Sequence, residues 1–234
     1  MACVHRNPRI AFFLGEMKVA LQSGQLLKSA LHVLNLGFHL LHAHTIGPGF
    51  GQPGFEPFAA GGATDVVGRA IATAMSKNMG QQVVVDNKPG AGGILAGNLL
   101  VKAAPDGYTL ILGSIGMLSI GPNLRTDLPY SIKDQFIPVA QVSSTPNLIV
   151  AHPSLKANNL AELIQLAKTE PFKIAYGSSG PATSTHLSGE LFQSMAGVKL
   201  THIPYKGGAP AITDLLGGQV DLFFAGVPPA LPHI

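Results

Sequence analysis

Residues 176–186 read Tyr176-Gly177-Ser178-Ser179-Gly180-Pro181-Ala182-Thr183-Ser184-Thr185-His186. A short strand pattern, Ile174–Tyr176, leads into this loop, and helical spacing over Thr185–Ala196 follows it. Strand, loop and helix in that order form the repeating unit of an α/β sheet. The loop itself is dense in small hydroxyls bracketed by glycines. Serine and threonine in such a place act as caps and turn formers, or as neutral hydrogen-bond donors around a ligand.

The same alternation extends on both sides. Upstream, Val66–Met79 has helical spacing and stops at Gly80, and Gln82–Val85 is a β-branched strand. Ile94–Ala103 reads as a helix, Tyr108–Leu112 as a strand, and Phe136–Val142 and Leu148–Ala151 as two more strands. Leu160–Thr169 is an amphipathic helix with Asn158 or Asn159 as its cap. Downstream come strand Leu200–Ile203, helix Ala209–Leu216 and strand Val220–Phe224. The pattern predicts an α/β class with mostly parallel sheets.

Composition narrows the function. The 234 residues hold 15 Lys and Arg against 12 Asp and Glu, for a net charge of +3. Such sparse charge forms no nucleic-acid footprint. The single cysteine, Cys3, excludes an internal disulfide framework and a Cys-based zinc site. No clean apolar run reaches about 18 residues, so no transmembrane helix is expected.

The chain changes character near Pro57. Residues 1–57 carry five of the nine histidines and no regular alternation. Their most periodic stretch, Val19–Leu41, reads as a ragged helix, and Gly47–Gly54 reads as a flexible connector. Lys28 followed by the apolar run Ala30–Leu41 hints at an export signal, but His32, Asn35 and His39 interrupt it and His42 and His44 follow it. His39, His42 and His44 have no carboxylate nearby to complete a metal site, and no metal is expected.

In parallel sheets, ligands bind beyond the carboxyl ends of the strands, where helix N-termini favour anions. Three loops stand there. Pro57-Phe58-Ala59-Ala60-Gly61-Gly62-Ala63-Thr64-Asp65 enters the first helix, with glycines that let backbone amides approach a ligand. Its Thr64 supplies a hydroxyl and Asp65 a capping carboxylate; an ordinary capped helix start has the same residues. The second is the 176–186 loop. The third, Ile203-Pro204-Tyr205-Lys206-Gly207-Gly208, brings a phenol and a cation, although a lone lysine such as Lys206 is commonly a solvated surface charge. Asp86–Gly93 is glycine-rich but lacks both nucleotide-binding spacings. Ser178 or Ser179 with His186 and Asp214 suggests a small serine hydrolase, yet the G-x-S-x-G elbow is absent, and no catalytic residue is assigned.

Together these segments resemble the Bug-type receptors of tripartite tricarboxylate transporters. The resemblance rests on Phe58–Asp65, Asn87–Gly93, Ala103–Leu110, Tyr176–Gly180, Thr185–Leu187, Ile203–Gly207 and Asp214–Asp221, in order, across 57–234. It implies a fold like the type II periplasmic binding proteins, with lobe one over 58–135, lobe two over 136–234, and a non-family segment over 1–57. It also implies an extracytoplasmic, monomeric receptor that captures a small organic carboxylate (a di- or tricarboxylate, an acidic amino acid or a related acid) for a membrane permease, without a cofactor. The implied ligand-binding residues are Gly62, Ala63, Thr64, Asp65 and Ser114 in lobe one. Lobe two would supply Ser178, Ser179, Gly180, Thr183, Ser184 and Tyr205.

Two departures bear on lobe one. Family members lead into the first loop with a buried strand, whereas Gly51-Gln52-Pro53-Gly54-Phe55-Glu56-Pro57 is too rich in Gly and Pro to predict a central strand. The sequence also ends at Ile234, where the family backbone crosses back. Lobe one is therefore expected to be incomplete and marginally stable, and a truncated fragment without binding activity is the alternative expectation.

Overall fold

Two sheets organise the chain, and both feed the same loops. The structure, a computed structural model, describes the backbone of residues 37–43 and 53–233 and the side chains of 54–233. The first sheet contains β1 (Gly37–Ala43), β2 (Pro53–Glu56), β3 (Val84–Asn87), β4 (Leu110–Ser114) and β5 (Pro138–Thr145), in the order β3-β2-β4-β1-β5. The second contains β6 (Asn147–Ala151), β7 (Ala175–Ser178), β8 (Thr201–Pro204) and β9 (Leu222–Gly226), in the order β6-β9-β7-β8. β2 is parallel to β3 and β4, and β7 is parallel to β8 and β9. Antiparallel pairing is confined to β1 and β6.

Five longer helices flank the sheets: α1 (Ala63–Met79), α2 (Ile94–Lys102), α3 (Leu160–Thr169), α4 (Ser184–Ala196) and α5 (Gly208–Leu216). Their ends follow local chemistry. Gly80 closes α1 in the left-handed conformation at φ 65°, which glycine adopts without a Cβ penalty. Asn159, rather than Asn158, caps α3 by accepting the Glu162 N–H at 3.0 Å. Thr183 caps α4 through the His186 N–H. Among the described residues no helix is long and apolar enough to cross a membrane.

Period-two alternation distributes the core. Along β9, Leu222 and Phe224 pack with Leu163, Tyr176 and Val198, while Phe223 and Ala225 pack with Ala211, Ile212 and Leu215. The second sheet is thus covered by α3 and α4 on one face and by α5 on the other. In the first sheet Ile111 joins Ala96, Leu100, Met117 and Tyr130 beneath α2.

The N-terminal portion differs from the sequence reading in two respects. Gly37–Ala43, the end of the stretch read as a ragged helix, is a strand with a partner on each edge. Two ladders of backbone hydrogen bonds outweigh the weak helical preference of a segment that begins with glycine. The Gly/Pro-rich stretch before the first loop does form a central strand, β2, between β3 and β4. Its proline stands at the first strand position, where a missing N–H is tolerated, and Gly54–Glu56 carry the pairing. Residues 28–36 of the export reading, residues 47–52 of the Gly47–Gly54 connector, and the side chains of His39, His42 and His44 lie outside the described residues. β5 belongs to the first sheet and β6 to the second, with Pro146 between them.

Alternation along β2 sends Phe55 toward α2 and Glu56 toward α1. Glu56 is 1% exposed among Ile71, Ala72 and Leu112, and among the described residues neither carboxyl oxygen has a hydrogen-bond partner. Burial pushes its pKa up from 4.5 to about 8; the neighbouring Thr64 hydroxyl opposes that, the Asp65 charge adds to it, and the Phe58 amide and Arg69 oppose it less than Thr64 does. The unfolded chain therefore ionises near 4.5 while the fold keeps the proton, and stability declines as pH climbs from 4.5 to about 8. Replacing Glu56 with leucine removes that penalty. In denaturant unfolding, Glu56→Leu should gain roughly 3–5 kcal/mol at pH 8 and much less at pH 4.5. A gain independent of pH would contradict the assignment.

Candidate ligand-binding site

The carboxyl ends of the parallel strands of both sheets meet at one cavity of about 60 Å³. Three helices begin there, represented by Ala63 and Thr64 of α1, Ser184 and Thr185 of α4, and Gly208 of α5. First-turn N–H groups have no intrahelical carbonyl to bond, and each helix start carries about half a positive charge. Strand ends add Ser114 from β4, Gly226 from β9, and Thr145 and Asn147 from either side of the crossover. Phe58, Ile115 and Pro229 supply apolar wall. No charged side chain lines the cavity among the described residues.

Some lining groups are already committed. The Thr183 hydroxyl donates to the Gly180 carbonyl at 2.6 Å, Thr185 Oγ1 accepts the Ser179 N–H at 2.8 Å, and Asn147 Nδ2 donates to Ser188 at 2.9 Å. These bonds stiffen the second loop. The hydroxyls of Ser179 and Ser184 have no partner among the described residues and remain available to a ligand.

Of the eleven residues expected from the sequence, Ala63, Thr64, Ser114, Ser179, Thr183 and Ser184 line the cavity. Five do not. Gly62 is the residue before α1 and bonds Ala59 O at 3.4 Å. Asp65 turns away from the cavity and accepts Gly61 N–H, Arg69 Nε and Asn87 Nδ2, each at 2.9 Å. Burial works against its charge, but the hydrogen bonds from Arg69, Gly61 and Asn87 prevail and hold its pKa below the ordinary value. Because Asn87 also donates to Phe58 O, this network clamps both ends of the first loop. Ser178 is fully buried, with Oγ 2.6 Å from His202 Nε2. Gly180, at φ 128°, forms the turn behind the loop. Tyr205 donates to Asp214 Oδ2 at 2.7 Å; burial and that bond push its pKa up to about 12.

Sequence reasoning missed eight lining residues. Phe58, Thr185 and Gly208 lay inside the quoted loops. Thr145 and Asn147 lie where β5 hands over to β6, a junction without glycine or a charge pattern, and Ile115, Gly226 and Pro229 likewise carried no signal. The third loop's cation, Lys206, is exposed and outside the lining.

The sheets approach closely around the cavity. The Ala59 N–H donates to Lys206 O at 3.1 Å, from one loop to the other. A Cβ on Gly116 would stand 2.8 Å from Ala182 O and 3.0 Å from Thr183 Cα, and one on Gly207 would stand 3.0 Å from Ala59 N. These contacts leave no room for a side chain.

Comparisons agree with this geometry. Residues 67–234 match the family described as tripartite tricarboxylate transporter family receptor. The chain belongs to that family. It is 40% identical over 179 residues to the protein BugT of Bordetella pertussis, covering 76% of this chain and 55% of BugT. The periplasmic binding protein BugD superposes with a TM-score of 0.77 at 38% identity, covering 80% of this chain and 62% of BugD. Rpa4515 of R. palustris, solved with adipate, superposes with a TM-score of 0.77 at 36% identity, covering 79% and 62%. The chain spans about half the length of the curated relatives it matches. The fold is that of the periplasmic binding proteins, which are solute-binding rather than catalytic.

Gly116 offers a clean test of the close approach, since its backbone is helical and alanine adds no local strain. Gly116→Ala should weaken ligand affinity at least about tenfold by propping the two loops apart, and should lower the melting temperature without ligand as well, because the same backbone contacts stand in the ligand-free structure. Calorimetry and thermal unfolding of the same preparation read both quantities. Unchanged affinity would mean that the two loops need not touch.

Proposed function

We propose that this chain captures a small organic carboxylate, without transforming it, as the extracytoplasmic receptor of a tripartite transporter. The observation that carries this reading is the convergence, among the described residues, of three helix N-termini and two unengaged hydroxyls on a cavity free of charged side chains. Such a site suits a carboxylate, whose oxygens accept several N–H and O–H bonds at once. The family supports it, as does adipate in Rpa4515. Each charge-assisted bond contributes about 1.5–3 kcal/mol, so three or four, less the cost of association, lead to micromolar affinity near −8 kcal/mol.

The receptor works as a monomer in the periplasm and passes its ligand to a membrane permease. It performs no hydrolysis: Ser178, the serine beside an imidazole, is buried away from the cavity, and Ser179 has no histidine bonded to it. Gly62, Asp65, Gly180 and Tyr205 shape the loops, while Thr64, Ser179 and Ser184 meet the ligand.

Titration calorimetry with adipate, malate, citrate and the uncharged diamide of adipate tests the proposal. One acid of the panel should give a single saturable site, and the diamide should bind at least about tenfold more weakly. Lys206→Ala should change that affinity by less than about threefold, because an exposed charge contributes little. Equal binding of diamide and acid, or no heat with any acid, would refute carboxylate capture; a collapse in Lys206→Ala would move the anion anchor to that side chain.

A further inference from the structure

The glycine-rich turn that follows β3, set aside as a nucleotide site, reaches the second ligand loop. Its backbone holds positive φ at four successive residues: Gly90 at 148°, Ala91 at 48°, Gly92 at 67° and Gly93 at 100°. One side of the turn is tied to the first loop. Lys88 N–H donates to Glu56 O at 2.8 Å, and Asn87 Nδ2 donates to Phe58 O and to Asp65 Oδ1, each at 2.9 Å. A Cβ on Gly93 would stand 3.1 Å from Pro57 Cβ and 3.3 Å from Met117 Cβ. The other side meets the second sheet: a Cβ on Gly92 would stand 2.6 Å from Pro181 O.

That contact presses backbone against backbone. It completes a series along the second loop, in which Thr183 lines the cavity, Ala182 O meets Gly116, and Pro181 O meets Gly92. Pro181 and Ala91 are exposed, so the last of these contacts lies at the rim. Strain marks both of its sides. Among the described residues three non-glycine residues hold a positive φ: Ala91, Phe172 and Ala182, the last at 58°. Ala91 adjoins Gly92 and Ala182 adjoins Pro181. An L-residue in that region costs energy and stays there only where its surroundings dictate it, as they do in ligand clamps.

We propose that the 90–93 turn and residues 180–182 form a clasp across the rim of the cavity, which holds the second loop over the ligand and sets how long the ligand stays bound. The inference rests on the carboxylate-capture reading of the cavity. None of residues 90–93 lines the cavity, so the turn acts through the second loop as a positioning element. A ligand that bridges the first loop and the Ser179 and Ser184 hydroxyls gains all its bonds only with the clasp seated, and release requires the clasp to part. The glycines of this turn thereby acquire a reason: a side chain at 92 or 93 would meet Pro181 or Met117.

Gly92→Ala adds left-handed strain and a collision with the Pro181 carbonyl. Gly80→Ala is the matched control, because Gly80 has φ 65° and a Cβ there meets nothing within 4 Å. In stopped-flow and calorimetry with adipate, Gly92→Ala should release the ligand at least about tenfold faster and bind it at least about tenfold more weakly. Gly80→Ala should stay within about twofold of wild type in both, although strain lowers its melting temperature too. Unchanged release in Gly92→Ala, or equal losses in the two variants, overturns the clasp; the second result would assign the effect to strain alone. Hydrogen exchange of the ligand-free proteins gives a reading without adipate. The Ser179 and Gly180 amides, bonded to Thr185 Oγ1 and Ser178 Oγ, should exchange at least about tenfold faster in Gly92→Ala than in Gly80→Ala. Equal exchange in the two variants overturns the proposal. If adipate binds none of these proteins, adipate capture fails and the exchange comparison alone decides on the clasp. If Gly92→Ala does not fold, wild type decides. Adipate should slow exchange of the Gly93 amide, which bonds Gly90 O at 2.9 Å outside the cavity lining, at least about fivefold, and no slowing overturns the clasp.

Discussion

A helix start offers about half an elementary charge and a few free N–H groups, and its field fades within a turn. A site without lysine or arginine can therefore hold an anion only where several helix starts meet. On the proposed reading, that requirement accounts for the architecture. Parallel strands followed by helices bring the N-termini of successive helices to one edge of a sheet, and two such sheets turned edge to edge bring three together. β6, antiparallel to β9, leads into no helix start at the cavity; instead β5 ends and β6 begins there, so the crossover itself supplies Thr145 and Asn147.

Dipoles act over short distances, so the loops that carry them must be fixed and must approach closely. In the first loop the fixing is ionic but kept out of the cavity lining: Asp65, balanced by Arg69, clamps Gly61, while Asn87 clamps Phe58. In the second it is neutral, running from Thr185 to Ser179 and from Thr183 to Gly180. Close approach needs glycine at Gly116 and Gly207, where a methyl group would meet the opposite backbone. Against this order stands Glu56, a carboxyl buried without a partner under the very loop it precedes. β2 forms in spite of it, because backbone pairing on both edges and the packing of Phe55 hold the strand in place.

The sheet pattern was readable from the sequence, but the readable part stopped short of the site. The runs Tyr108–Leu112, Ile174–Tyr176 and Val220–Phe224 end where apolar residues end, whereas β4, β7 and β9 continue to Ser114, Ser178 and Gly226. Those last residues are small or polar because they face the cavity or its supports, so hydrophobicity gives out two residues before the strand does. Ser178 and Ser179 are indistinguishable in a one-dimensional reading, yet successive side chains at a strand end point to opposite sides. One reaches His202 and the other the cavity. Asp65 and Tyr205 were placed at the ligand for the same reason: loop membership is legible, side-chain direction is not. β1 and β2 escaped altogether, since each takes its strand character from partners far along the chain.

What a site of this kind can discriminate follows from what it lacks. A lysine would attract any anion through a charge that acts at long range and tolerates many geometries. Helix starts and hydroxyls act only on acceptor oxygens placed within hydrogen-bond reach, so recognition depends on the number and spacing of those oxygens more than on net charge. Asn147, committed to Ser188, and Thr185, committed to Ser179, fix where those oxygens can sit.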